Sequence, residues 1–277
     1  ALVVTQPDRR RGRSGRPRPT AVAELAERLG LEVLRPSSIN DDDVLDEFRS
    51  RGVGALAVVA FGQILREPLL SEWPCLNVHF SLLPAYRGAA PVERALIDGV
   101  DETGVTIMRM DEGLDTGPTI STHRLPVAPT DTGGGVTDRL AELGGPALVD
   151  ALDDVQAGSL VTTPQPEEGI SLAPRIVAED RALDPRAPAR AVADRVRALA
   201  PRIGATMVID GEPFKIWSAV ARPGTSSGAP LSAHDGRLRL ACADGVVDIE
   251  ELQPPGRSRM SAADFLRGWR GELVLTA

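Results

Sequence analysis

The run Ala55–Leu65, "ALAVVAFGQIL", constrains this chain more than any other stretch. It is apolar almost throughout and β-branched in its middle, so as a strand it has no face to offer water. Strands buried on both faces belong to parallel sheets layered between helices. The neighbouring pattern agrees with such a sheet. Leu2–Thr5 is a short β-branched strand, and "TAVAELAERLG" sets Val22, Leu25, Ala26 and Leu29 at helical spacing behind a Thr20 cap, with Gly30 closing the helix. "LEVLRP" predicts a strand, and "NDDDVLDEFRSRG" a helix whose first-turn acids suit the positive end of the helix dipole. Strands at "CLNVHF" and "GVTIMRM" and helices at "PVERALIDG" and "GGGVTDRLAELGGPALVDALDDVQAG" continue the alternation. The fold class is therefore α/β, a Rossmann-like doubly wound parallel sheet.

Beyond residue 158 the periodicity lapses. "SLVTTPQPEEGISLAP" is rich in turn formers, and residues 161–175 read as a linker that separates a domain over 1–160 from a second over 176–277. The second opens with an amphipathic helix, "APARAVADRVRALAP", and continues as short strands punctuated by Asp-Gly turns, which predicts a small, OB-like β-barrel. A doubly wound domain opens with a strand and helix of its own, whereas Leu2 already lies within a strand, so an N-terminal βα unit is expected ahead of Ala1. The Gly133–Gly135 triplet lacks both G-x-G-x-x-G spacing and a Walker lysine, and is read as a loop leading into a helix rather than a phosphate cradle.

Composition excludes several function classes. With 277 residues, 42% of them hydrophobic, the chain can build proper cores without staples. Cys75 and Cys242 are too far apart in sequence to suggest a zinc site or a disulfide framework, which favours a reducing cytoplasm. No apolar run approaches the length of a membrane span. A net charge of −8 argues against a protein that coats nucleic acid. The charge is nevertheless unevenly spread. Residues 175–277 carry 15 basic against 13 acidic side chains, so the acidic surplus lies wholly ahead of them, and within that acidic part Asp8–Thr20 concentrates Arg9, Arg10, Arg11, Arg13, Arg16 and Arg18.

Chemistry concentrates in "NVHFSLLPAYRGAAP", Asn77–Pro91. Alternate strand residues share a face, so Asn77 and His79, with Ser81 beyond them, point one way while Leu76, Val78 and Phe80 point the other. Polar side chains on a strand of a covered sheet fit near its carboxyl end, where a crevice admits ligands. The next strand also ends in a polar loop, "MDEGLDTGP", which sets Asp115 between Gly113 and Gly117. An amide, an imidazole and a carboxylate, with no Ser or Cys nucleophile and no second His for a metal, fit direct attack on a polarised carbonyl. In that scheme Asn77 donates to a developing oxyanion, while His79, with the Asp115 carboxylate beside it, donates a second hydrogen bond and moves a proton. His123 and His234 join no motif and read as surface or strand-end residues.

Taken together, "NVHFSLLPAYRGAAP", "GLDTGP", "VVTQPDRRRGRSGRP", "VVAFGQIL", "ETGVTIMRMDEGLDTGP" and "LQPPGRSRMSAADFLRG" resemble the folate-dependent formyltransferases, over nearly the whole chain and within the branch whose acceptor is the methionine of initiator tRNA. The resemblance implies formyl transfer from 10-formyltetrahydrofolate to the α-amine of initiator methionyl-tRNA without a metal, by a cytoplasmic monomer. It places Asn77, His79 and Asp115 at the reacting carbon. Ser81, Leu82, Leu83 and Pro84 contact the folate, and Phe61, Gly62, Ile64, Leu65 and Leu114 line its pterin slot. It also implies that the arginine-rich segment enters the acceptor arm of the tRNA while a basic C-terminal barrel holds the inner side. Two departures stand out: Arg16, Pro17 and Arg18 replace the usual lysine-rich stretch, and "APRIGAT" replaces an aromatic turn. Alternatives within the trio are another amine acceptor, an amino-sugar or a nucleotide, and a formyltetrahydrofolate hydrolase. A non-catalytic RNA-binding relative is a further alternative, though binding alone would not need these three groups to converge.

Overall fold

The computed structural model describes residues 1–10, 15–224 and 229–276, with the His234 side chain outside that description. β1 (Leu2–Val4) is followed by a hairpin of β2 (Arg9–Arg10) and β3 (Pro17–Arg18), then α1 (Ala21–Arg28), β4 (Glu32–Leu34), α2 (Asp42–Ser50) and β5 (Leu56–Val58). Next come α3 (Leu69–Glu72), β6 (Cys75–His79), α4 (Pro91–Ile97), β7 (Glu102–Arg109), β8 (Thr119–Pro126) and α5 (Gly133–Ala157). The C-terminal part holds α6 (Ala189–Leu199), β9 (Ala205–Ile209), β10 (Glu212–Arg222), β11 (Leu231–His234), β12 (Arg237–Ala241), β13 (Val246–Gln253), β14 (Met260–Ser261), α7 (Ala262–Gly268) and β15 (Leu275–Thr276).

The chain divides into two units, one of Ala1–His79, Ile107–Ser121 and Pro146–Gln165, the other of Phe80–Thr106, Thr122–Gly145 and Pro166–Ala277. The first is mixed α/β with parallel strands. β1 pairs in parallel with β4, and β5 pairs in parallel with β6 in a four-stranded sheet of order β5-β6-β7-β8. β1 and β5 are not sheet neighbours; Leu2, Val3 and Val4 share with Leu56, Ala57 and Val58 the wall of a cavity of about 920 Å³. Helix α2 buries Val44, Leu45 and Phe48, and its Phe48 ring meets Trp73 edge-on at 5.7 Å in a core that also holds Leu65, Leu69, Leu70 and Cys75. Burying each such side chain stabilises the fold by about 1.5–3 kcal/mol. Thr20 caps α1 by accepting from the Ala23 N–H. The face of α1 that packs is the narrower one of Ala23 and Ala26, whereas Val22, Leu25 and Leu29, expected inside, are exposed.

The second unit contains a nearly closed antiparallel barrel, with strand order β11-β12-β13-β10-β9-β15 and β14 added to β13. Two of its hairpins turn where the Asp-Gly pairs predict. Ile209 faces Glu212 across Asp210-Gly211, and His234 faces Arg237 across Asp235-Gly236. All four turn residues have positive φ, which Gly and Asp tolerate best. Phe214, Ile216, Leu238, Leu240, Val247 and Ile249 fill the interior with α6 and α7 residues.

The glycine triplet differs from expectation: Gly133 is already the first residue of α5. A Cβ on Gly133 would lie 2.1 Å from the Ala198 carbonyl oxygen, and one on Gly134 would lie 2.4 Å from Cδ of Pro201, so bare backbone lets α5 start against the end of α6. The turn-rich segment is also pinned rather than loose. Thr163 exchanges two 2.8 Å backbone hydrogen bonds with Thr119 in the first unit, and within the second Ala173 is fully buried and donates to the Arg87 carbonyl at 2.7 Å.

Candidate active site

β6 carries Asn77 and His79 on one side of the strand, with His79 its last residue. His79 is 5% exposed and Asn77 half-buried. β7 ends beside the first residue of β6, since the Met110 N–H donates to the Cys75 carbonyl at 2.8 Å. The loop after β7 then folds back so that Oδ2 of Asp115 lies 3.6 Å from Nδ1 of His79. That is an electrostatic contact rather than a hydrogen-bond length, of the kind that tightens when substrate binds.

The loop reaches this geometry by close backbone approaches. Asp115 itself has φ +54°, in the left-handed region where a side chain costs about 1 kcal/mol or more. Oδ1 of Asp111 accepts from the Gly113 N–H at 3.0 Å and the Thr116 hydroxyl at 2.8 Å. A Cβ on Gly117 would sit 1.9 Å from the Arg109 carbonyl oxygen, so only glycine fits where the loop rejoins β8. On the far side, Nε2 of Gln165 donates to the carbonyls of Asp115 at 2.8 Å and Gly117 at 2.7 Å.

Cys75 shares the strand with the polar pair, yet burial pushes its thiol up to about 11, so it is protonated at neutral pH and is no nucleophile. Burial likewise raises the Cys242 thiol to about 11. Among the described residues no group of three or more His, Cys, Asp and Glu is placed to hold a metal, and no helix is long and apolar enough to cross a membrane.

The other expected site residues fall into three sets. In the first unit, Phe61 is half-buried, Gly62 and Ile64 are exposed, Leu114 is exposed, and the Leu65 side chain is taken into the core at 5% exposure. In the second unit, Ser81 is fully buried, and its hydroxyl donates to the Ala85 carbonyl at 2.6 Å. The Thr106 hydroxyl donates to the Ser81 carbonyl at 2.7 Å and accepts from the Leu83 N–H at 3.2 Å, which fixes the Ser81–Pro84 turn; Leu83 is buried and Leu82 half-buried. The arginine segment forms the third set. Arg9 pairs with Arg18 in the hairpin and Arg10 with Pro17, while Arg9, Arg10, Arg16 and Arg18 are exposed; Arg11 and Arg13 lie outside the described residues. The hairpin is anchored at its base, where the Thr5 and Thr20 hydroxyls meet at 2.5 Å. Gln6 there donates to the Phe61 carbonyl at 2.9 Å and accepts from Arg9 at 3.0 Å.

On the barrel, Asp248 is 1% exposed and accepts hydrogen bonds from Arg239, Arg237 and Arg222 at 2.7–3.2 Å. The Arg239 bond, opposed by burial and helped by the other two, holds its carboxyl below the usual range. His123 is a half-buried residue within β8, and His234 ends β11. Gln165, Thr106 and Gln6 are residues the sequence did not single out. Gln165 stands between two prolines in a stretch without periodicity, where no pattern marks a side chain that grips distant backbone.

Residues 1–152 match the family model "Formyl transferase", and residues 175–270 match "Formyl transferase, C-terminal domain". A methionyl-tRNA formyltransferase of Halorhodospira halophila is 40% identical over 273 residues, covering 97% of this chain and 88% of its own. One of Chromohalobacter salexigens is 43% identical over 280 residues, covering 98% and 86%. The chain belongs to the methionyl-tRNA formyltransferase family. Among solved structures, HypX of Aquifex aeolicus in complex with tetrahydrofolic acid superposes on this formyltransferase with a TM-score of 0.67 at 18% identity, covering 100% of this chain and 50% of that one. An N-formyltransferase of Helicobacter canadensis, in complex with folinic acid and dTDP-3-aminofucose, gives a TM-score of 0.66 at 13% identity, covering 91% and 98%. At those identities the two structures speak for the fold alone.

Proposed function

We propose that this enzyme transfers the formyl group of 10-formyltetrahydrofolate to the α-amine of methionyl initiator tRNA, with Asn77, His79 and Asp115 as its catalytic residues. The observation that carries the reading is the approach of the Asp115 carboxylate to within 3.6 Å of a buried His79 at the end of β6, two residues from Asn77. The amine nitrogen attacks the formyl carbon, and the carbonyl oxygen takes up the displaced electron pair as a tetrahedral oxyanion. The Asn77 amide and the His79 imidazole donate to that oxygen, the kind of stabilisation that preorganised donors supply most strongly. As the new C–N bond matures the amine loses a proton, and as the intermediate collapses N10 of the folate leaves and gains one. His79 relays that proton, and Asp115, on its Nδ1 side, stabilises the imidazolium that forms on the way.

Phe61–Leu65, Leu114 and the Ser81–Pro84 turn are the folate-binding residues of this proposal. The exposed Ile64 and Leu114 offer apolar contact. The arginine hairpin and the basic surface of the barrel grip tRNA phosphates in a salt-dependent manner. Its anchoring to the Phe61 carbonyl through Gln6 keeps the hairpin in register with the folate segment. The enzyme works in the cytoplasm, as a monomer and without a metal. The test is formylation of methionyl-tRNA by the protein, run beside an amino-sugar nucleotide and water as competing acceptors. Turnover of the tRNA supports the proposal, and turnover of the sugar amine alone would replace it.

A further inference from the structure

We propose that Gln165 is a positioning residue for Asp115, acting on the reaction through the backbone of the loop that carries that carboxylate; the inference rests on the trio reading above. The loop 110–118 has a conformational problem to solve. Asp115 is held at φ +54°, a left-handed conformation that Asp tolerates better than most residues but still at some cost, so its neighbours must hold it there. On one side Asp111 ties down Gly113 and Thr116. On the other, both short hydrogen bonds from the Gln165 amide end on the carbonyls of Asp115 and Gly117, one on each side of Thr116. A single planar NH2 group that serves two carbonyls two residues apart fixes their separation and the plane between them, and with them the direction of the Asp115 side chain.

Gln165 is itself placed by the protein. The paired backbone hydrogen bonds between Thr163 and Thr119 lay this segment along the start of β8, two residues before the glutamine. Neither a hydroxyl nor a carboxylate could do the same work. The first has one proton to give, and the second would face two carbonyl oxygens with none.

The experiment compares Gln165→Met, Gln165→Glu and Asp115→Asn with the two double variants, using initiator methionyl-tRNA and 10-formyltetrahydrofolate as substrates. Each Gln165 variant is expected to lower kcat about 10- to 100-fold, the scale of a misplacement near 1 Å. KM for both substrates should stay within about twofold. Combined with Asp115→Asn, neither should lower kcat further, because the carboxylate it positions is already gone. Wild-type kcat in Gln165→Met, losses that multiply in the double variants, or failure of both Gln165 variants to fold would each overturn the proposal. An Asp115→Asn enzyme as fast as wild type would instead sink the trio reading itself, and the two failures are told apart by which single substitution is silent.

Discussion

Gly117→Ala is the substitution the active-site loop should tolerate least. A Cβ there would lie 1.9 Å from the Arg109 carbonyl oxygen, 3.0 Å from its carbon and 3.1 Å from Cε of Met108. Ordinary contact needs about 3.5 Å, so the loop must withdraw from β7 by about 1.5 Å, and the obstructing oxygen is backbone that cannot rotate away. Overpacking of this kind costs about 1–3 kcal/mol. Asp115 lies two residues before the clash and starts only 3.6 Å from His79, so a displacement of that size separates the pair. A misplacement near 1 Å costs about 10²-fold in rate. That corresponds to about 2.7 kcal/mol of transition-state stabilisation. The assay is steady-state formylation at saturating substrates, with thermal unfolding alongside. We expect kcat to fall about 100-fold with the protein still folded. Gly113→Ala supplies the control: its Cβ would strike Oγ1 of Thr116 at 1.9 Å, a side-chain atom able to move, and the loss should be smaller. Wild-type kcat in Gly117→Ala, or a larger loss in Gly113→Ala, would refute the reasoning.

Three other perturbations have defined outcomes. Replacing Arg9, Arg10, Arg16 and Arg18 with Gln should weaken tRNA binding and flatten its log–log salt dependence by about 0.9 for each phosphate no longer neutralised, with folate affinity unchanged; an equal fall in folate affinity would assign the hairpin to the active-site wall. Asp248→Asn should destabilise the barrel by about 1–3 kcal/mol at neutral pH, less than a fully buried pair because its arginines reach solvent, as read by denaturant unfolding. The folded pKa of Asp248 is depressed, so its contribution is complete above the unfolded value of about 3.9 and is lost as pH falls through the folded one; the gap between wild type and variant should close below about pH 4. Cys75→Ser should keep kcat within about twofold, since a thiol held near 11 takes no part in catalysis; a 100-fold loss would contradict that.

Much of this architecture could be read from side-chain periodicity because its causes are local. An Asp-Gly pair between alternating residues turns tightly, and β6 shows its chemistry because Asn77 and His79 break an apolar strand at the spacing that puts them on one face. The apolar run Ala55–Leu65, read as an inner strand covered on both faces, instead supplies only β5, a partly exposed strand at one end of its four-stranded sheet, with Val59 50% exposed. What could not be read depends on distant partners. The reason for Gly133 and Gly134 is the end of α6, some sixty residues on, and the reason for Gly117 is a carbonyl of the preceding strand. Gln165 acts on backbone, which has the same composition everywhere and leaves no pattern for a sequence to match. The helical spacing of α1 correctly gives a helix, yet the face that packs is Ala23 and Ala26 rather than the larger residues.

The central claim is that an amide and an imidazole of β6 and a carboxylate of the loop after β7 perform amine formylation. Its most direct test is the single-turnover rate of formyl transfer from 10-formyltetrahydrofolate to methionyl initiator tRNA, measured for the wild type and for Asn77→Ala, His79→Ala and Asp115→Ala. The account predicts transfer by the wild type and losses of about tenfold to a thousandfold in each variant, with folding and folate binding intact. A variant of His79 or Asp115 that transfers the formyl group at the wild-type rate would contradict it.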